Sequence, residues 1–208
     1  MHTTQMLSVL SYALPSPKPV VFSSGLYSTM PSAVYSDLLA SVRSQGASVI
    51  DAPTMLTKRG FEDICDEHDV DRLPLITHSS FDARILDSRR IERALLLDPV
   101  ALPSLGVSGI VAPTISPRAP TCAIYSKLYG SFVKPAFRPN LQGADEIQLQ
   151  FGGHSDLLDG MWPWVASMIG IASDTSDGVQ QYKQFLSVYL KEWVVSPRGE
   201  LAQRTSEG

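Results

Sequence analysis

The chain has 208 residues, of which 44% are hydrophobic, 18% charged and 8% aromatic, the proportions of a globular protein rather than a disordered or fibrous one. A single domain over residues 1–208 is predicted, because a chain of this length buries about 70% of its unfolded surface and needs neither disulfides nor a structural metal. With 17 Lys plus Arg against 21 Asp plus Glu and a net charge of −4, the strongly basic surface of most nucleic-acid-binding proteins is excluded.

No apolar run reaches the roughly 18 to 20 residues that a membrane span requires. Met1 to Leu14 lacks a basic start and a contiguous apolar stretch, so no cleavable signal is read there. Residues 1–18 are taken as an N-terminal extension and 197–208 as a loose C-terminal tail. Cys65 and Cys122 have no CxxC companion and no His at metal-ligand spacing, and they read as buried free thiols.

Apolar β-type runs then alternate with amphipathic helical patterns, which predicts βαβ units and a mostly parallel sheet. Pro19 to Phe22 is the first strand and stops at Ser23, Ser24 and Gly25. Tyr35, Leu38, Leu39 and Val42 recur at helical spacing before a stop at Gly46. Ala47 to Asp51 is the second strand, and Lys58 to His68 a surface helix burying Phe61, Ile64 and Cys65. Leu73 to Ile76 is the third strand, running into Thr77, His78, Ser79 and Ser80.

Phe81 and Ile85 lie one turn apart and predict a helix over Phe81 to Ile91, followed by a fourth strand from Ala94 to Leu97 that ends in Asp98 and Pro99. Ala101 to Pro120 is rich in proline and reads as loop. Thr121 to Tyr125 is a fifth strand, and Glu146 to Phe151 a sixth that stops at Gly152, Gly153 and His154. Two helices close the chain, one carrying Trp164, Val165, Met168 and Ile169, the other Tyr182, Phe185, Leu186, Tyr189, Leu190 and Trp193. Pro197 ends the second. The fold class is therefore α/β, with a central sheet of about six strands, helices on both faces and little or no cap.

In such sheets, active sites form at the carboxyl ends of the strands. Four of those ends here carry reactive side chains or a tight loop: Ser24–Gly25–Leu26, Ser79, Asp98 and His154. A serine hydroxyl is a poor nucleophile until a base takes its proton, and a carboxylate must hold that base in the right tautomer. Ser, Asp and His in this chain order could fill those roles. The developing oxyanion would need backbone donors, for which the amides of Ser80 and Leu26 stand in the right places. Asp156 and Asp159 are rival carboxylates, and His78 reads as a packing residue beside the candidate nucleophile. Tyr27, Met30, Tyr129 and Trp162 could border an apolar substrate pocket or pack in the core.

These stretches resemble the chlorophyllases and their relatives within the α/β-hydrolase superfamily. VVFSSGLYSTMPSAVYSDLLASVRSQGASVIDAP is similar to that family's first strand, oxyanion loop, helix and second strand, with Ser24 where the family usually has His. LPLITHSS is similar to the nucleophile elbow, LLLDPV to the segment carrying the acid, and GGHSDLLD to the segment carrying the histidine. The resemblance spans roughly residues 19 to 160, with large deletions between the motifs, and implies Ser79 as nucleophile, Asp98 as orienting acid and His154 as general base. Gly25 and Leu26 would belong with Ser80 to the oxyanion hole. Members cleave carboxylic esters, the type substrate being chlorophyll, and need no metal or other cofactor. The implied partner is an apolar or amphiphilic ester. The setting is cytoplasmic by default, or a plastid if the analogy extends that far.

One departure sets up an alternative. The elbow is usually GxSxG, because the serine sits at positive φ and its flanks pass close to neighbouring backbone. Thr77 and Phe81 occupy those flanks, and a phenylalanine there is expected to open the turn or displace Ser79. A catalytically silent hydrolase-like protein, serving as a binding module or a subunit of a larger assembly, therefore stands beside the esterase. A nucleotide-binding domain is disfavoured, since no GxGxxG or P-loop follows any strand.

Overall fold

The computed structural model of the chain describes residues 18–102, 104–106, 109–160 and 176–195. In chain order its strands are β1 (Val20–Ser23), β2 (Val49–Asp51), β3 (Leu73–Ser80), β4 (Ile91–Val100), β5 (Ser104–Gly106), β6 (Gly109–Val111), β7 (Thr114–Ile115), β8 (Thr121–Tyr125), β9 (Asn140–Leu141) and β10 (Asp145–Gln148). The described helices of eight or more residues are α1 (Ser36–Arg43), α2 (Lys58–Glu67) and α3 (Ser176–Val195). A six-stranded sheet in the order β10-β8-β4-β3-β1-β2 forms the centre, and every pairing in it is parallel.

The four inner strands β8, β4, β3 and β1 are buried almost throughout, which is why they read in the sequence as apolar runs rather than as alternating strands. The two-residue side-chain period still sorts them into two cores. Phe22, Ile76, Leu97 and Ile124 face one side, where Leu38, Leu39 and Val42 of α1 and Tyr182, Leu186, Leu190 and Trp193 of α3 cover them. Val21, Leu75, Leu96 and Ala123 face the other, with Phe61, Ile64 and Cys65 of α2. Thr57 starts α2 by accepting from the Gly60 amide through its side chain.

Three expectations need correction. The helix placed over Phe81 to Ile91 is only a 3₁₀ turn, Ala83–Asp87. The Phe81 amide donates to Val100 O at 3.1 Å, so the backbone still follows β4 where a helix was expected to begin. Asp82 then caps the short turn by accepting from the Arg84 amide, and Ile91 already belongs to β4. Ala101 to Pro120 is also less irregular than its prolines imply, since it holds the antiparallel hairpin β5–β6 and the short β7, which pairs with β9. β10 stops at Gln148, three residues short of the expected end at Phe151.

The expected helix around Trp164, together with Trp162, the N-terminal extension through residue 17 and the tail, lies outside the described residues. Among the described residues no helix is long and apolar enough to cross a membrane.

Candidate active site

Ser79 is the penultimate residue of β3 and adopts φ of 61°. Its Oγ lies 3.0 Å from His154 Nε2, and both residues are buried. Asp98, inside β4 at φ of 46° and fully buried, brings Oδ2 to 3.4 Å from His154 Nδ1. A carboxylate on that side selects the tautomer with the proton on Nδ1, which leaves Nε2 to accept from the serine. Ser126, just beyond β8, clasps Asp98 by donating its amide to Oδ1 at 2.6 Å and its hydroxyl to Oδ2 at 2.7 Å. Ionised oxygens accept such bonds strongly.

The histidine's own loop is held from below. Gly152 has φ of +82°, and a Cβ there would lie 2.8 Å from Cγ of Tyr182 on α3. Only glycine fits both the dihedral and the ring. The next amide, of Gly153, donates to Asp156 Oδ2 at 2.6 Å. Asp156 thus ties the loop, while Asp159 accepts from Ser36 Oγ and the Asp37 amide at the start of α1 and from Lys183 Nζ of α3. Of the three carboxylates considered for His154, Asp98 is the one that faces its ring.

A second chain of contacts runs behind the first. His78 Nε2 is 3.0 Å from the carbonyl oxygen of His154. A carbonyl can only accept, so Nε2 carries the proton and Nδ1 must accept. Tyr35 Oη supplies that bond at 2.9 Å and itself accepts from the Gly25 amide at 2.9 Å. Every direction in Gly25 → Tyr35 → His78 → His154 is therefore fixed. Burial, aided by the neighbouring His154 ring, holds the His78 pKa well below the usual histidine range and keeps it neutral. Burial likewise raises the Tyr35 phenol, which stays a donor. Gly25 is required here, since a Cβ would sit 2.9 Å from Tyr35 Oη. With its N–H engaged by Tyr35, Gly25 is a spacer in this arrangement and not a free oxyanion donor.

Beyond Gly25 the backbone turns left-handed for Leu26, Tyr27 and Ser28, at φ of 53°, 56° and 62°. For three L-residues this costs roughly 3 to 6 kcal/mol. Side chains hold it in place: Ser23 Oγ and Ser28 Oγ are 2.7 Å apart, Ser24 Oγ donates to Met30 O, and Thr29 Oγ1 donates to Leu26 O. The amide of Met55, also at positive φ, donates to Tyr27 O at 2.8 Å. Of the seven non-glycine residues with positive φ among the described residues, all but Asp69 belong to these loops or bond to them. Strain of this kind concentrates at functional sites.

A solved α/β hydrolase enzyme from the metagenome of sediments from the lagoon of Mar Chica, Morocco, aligns over 85% of this chain and 92% of its own, with a TM-score of 0.51 at 14% identity. The chain has an α/β-hydrolase fold. The esterase domain of a Rhodothermus marinus protein aligns over 88% of this chain and 89% of its own, with a TM-score of 0.45 at 12% identity. No protein-family model matches the sequence, and no curated protein is similar to it.

On this α/β-hydrolase fold the residues expected around a substrate separate. Tyr27 lines a cleft of about 450 Å³ together with Phe81, Leu102 and Ile115. Tyr129 does not line it; its ring is buried in the second core, and its hydroxyl donates to Pro99 O at 2.6 Å. Met30 packs against the first core, and Trp162 lies outside the described residues. Ser80 sits beside Val100, just past a register shift between β3 and β4. Among the described residues no group of three or more His, Cys, Asp or Glu could hold a metal ion.

Sequence reasoning missed Ser126, Tyr35 and Tyr182 as parts of the site. Only Tyr182 leaves a trace in the sequence, through the paired glycines ahead of His154.

Proposed function

We propose that the chain is a serine carboxylic-ester hydrolase acting on an apolar or amphiphilic ester through an acyl-enzyme. The observation that carries this reading is the 3.0 Å approach of Ser79 Oγ to His154 Nε2, with Asp98 on the far side of the ring. In the first step His154 Nε2 takes the Ser79 proton as Oγ adds to the ester carbonyl carbon, and negative charge moves to the carbonyl oxygen. The amides of Ser80 and Leu26 are the donors proposed for that oxygen. Collapse breaks the bond to the alcohol oxygen, which leaves with the proton from His154. Water then gives a proton to the same nitrogen, adds to the acyl carbon and releases the carboxylic acid, and Ser79 recovers its hydrogen. Asp98 stays ionised throughout and holds the imidazole by its Nδ1–H.

The likeness of LLLDPV and GGHSDLLD to chlorophyllase motifs supports a substrate with a long apolar part. The silent-module reading rested on Ser24 and Phe81, and both are accommodated. Ser24 Oγ secures the Met30 carbonyl, and Phe81 is buried while Ser79 keeps its contact with His154.

Labelling by a fluorophosphonate probe, with turnover of short- and long-chain aryl esters, tests the proposal. Both activities are expected in the wild type and are lost in Ser79→Ala and His154→Ala. A wild type that is folded by circular dichroism yet takes no label and turns over no ester would overturn it.

A further inference from the structure

Asp98 and His154 stand on different segments, one near the end of β4 and the other in the loop beyond β10. Their separation is set by whatever holds both. The turn at residues 126–129, just after β8, does so through consecutive residues. Ser126 grips the Asp98 carboxylate with its amide and its hydroxyl. The amides of Lys127 and Leu128 donate to the carbonyls of Phe151 and Gly152 at 3.1 and 3.2 Å, on the segment leading into His154. Tyr129 Oη donates to Pro99 O, the carbonyl next to Asp98.

The grip on Asp98 has a directional consequence. Its two bonds reach different oxygens, the amide Oδ1 and the hydroxyl Oδ2, so together they fix the plane of the carboxylate as well as its place. The amide bond alone would leave the group free to turn about Oδ1. Oδ2 is also the oxygen that lies 3.4 Å from His154 Nδ1, so the hydroxyl bond decides where the imidazole finds its acceptor. Ser126 is in turn fixed through its carbonyl, which accepts from the Tyr129 amide at 3.2 Å and from Gln148 Nε2 at 3.1 Å. Ser126 and Asp98 are both fully buried, away from the bulk water that would weaken bonds to an ionised group.

We infer that Ser126 is a positioning residue of the esterase reaction, its hydroxyl holding Asp98 Oδ2 toward His154 while the turn that carries it fixes the distance between acid and base. This rests on the esterase reading above. As Ser79 gives up its proton the imidazole becomes a cation, and Asp98 stabilises that cation only while an oxygen faces Nδ1–H. A carboxylate free to turn loses that alignment. The cost falls on the chemical step and not on substrate binding, because Ser126 acts through Asp98 and behind the reacting atoms.

The test measures kcat and KM for p-nitrophenyl butyrate in the wild type, Ser126→Ala and Ser126→Thr. Beside them it follows the low-field proton resonance of His154 Nδ1–H, assigned by its loss in His154→Ala. Ser126→Ala is expected to lower kcat about 10- to 100-fold with KM little changed, and to move the resonance upfield as the bond to Oδ2 weakens. Ser126→Thr keeps a hydroxyl and recovers most of the lost rate. Should the added methyl group unfold the chain, Ser126→Cys keeps the shape with a weak donor and stays slow. A serine that served stability alone would lower the melting temperature without separating kcat from KM or moving the resonance. Wild-type kcat in Ser126→Ala or Ser126→Cys, a rise in KM at constant kcat, or an unmoved resonance overturns the assignment while the esterase stands. If the folded wild type neither turns over ester nor takes a fluorophosphonate label, the esterase reading fails and the role of Ser126 in the reaction with it. The resonance needs no turnover and still tests the hold on Asp98.

Discussion

The two faces of the sheet are built to different ends. One is sealed by α1 and α3, and it carries Tyr35 and Tyr182 in its core, the side chains that fix the Gly25 amide, His78 and the His154 loop from behind. The other has α2 and a 3₁₀ turn where a second helix was expected, and it opens into the cleft. The sealed face braces Gly25, His78 and the His154 loop, whereas the open face carries the cleft, so substitutions on the first should disturb rate and stability more than those on the second.

The largest effect is expected at the seam between them. Asp98→Asn keeps the shape but lets His154 take the wrong tautomer, and kcat/KM should fall about 10³- to 10⁴-fold with the fold intact. A loss under tenfold would mean that Asp98 does not orient the ring.

On the sealed face, Gly152→Ala combines a left-handed dihedral with a clash against Tyr182. It should cost about 2 to 4 kcal/mol, read as a melting temperature lower by roughly 5 to 15 °C. An unchanged melting curve would show that the loop yields freely.

Tyr35→Phe removes the hydroxyl between the Gly25 amide and His78 Nδ1 and leaves two buried groups without that partner, a loss of about 1 to 3 kcal/mol. Because the defect lies behind the reacting atoms, kcat should fall about tenfold with KM little changed. A rise in KM at constant kcat would contradict a positioning role.

His78 gives a smaller, pH-dependent effect. Its folded pKa lies below its unfolded value, so the unfolded chain binds the extra proton between the two. Stability is then complete above the ordinary histidine range and declines as pH falls through it, by at most about 1.4 kcal/mol per pH unit. Urea titrations from pH 7.5 to 5 should show this slope, and His78→Gln should flatten it. On the open face, Leu102→Ala should change stability by no more than about 0.5 kcal/mol; a large loss would make Leu102 part of the core.

The sequence reveals the sheet and the side chains of the candidate site far better than it reveals what holds them. Val20, Val21 and Phe22, like Leu95, Leu96 and Leu97, are buried on both faces of a parallel sheet, so their apolar runs survive any detail of packing. Ser79, Asp98 and His154 are legible because each closes or lies close behind such a run. The helix expected after Ser79 is not, since Phe81 and Ile85 offer one apolar repeat, which a 3₁₀ turn satisfies as well as an α-turn. Nor does local sequence disclose Tyr35 beside His78, a contact across 43 positions of chain, or Ser126 against Asp98, across 28. Such bonds are set by strand order, which no local pattern carries.

The left-handed segment Leu26–Ser28 bears on the order of assembly. Its clasp on Met55 comes from beyond β2, so the nascent loop cannot hold its final shape until β2 has joined β1. The final shape of this segment thus depends on a contact from beyond β2, whereas the turn at Ser79 is shaped by β3 and β4 at the middle of the sheet.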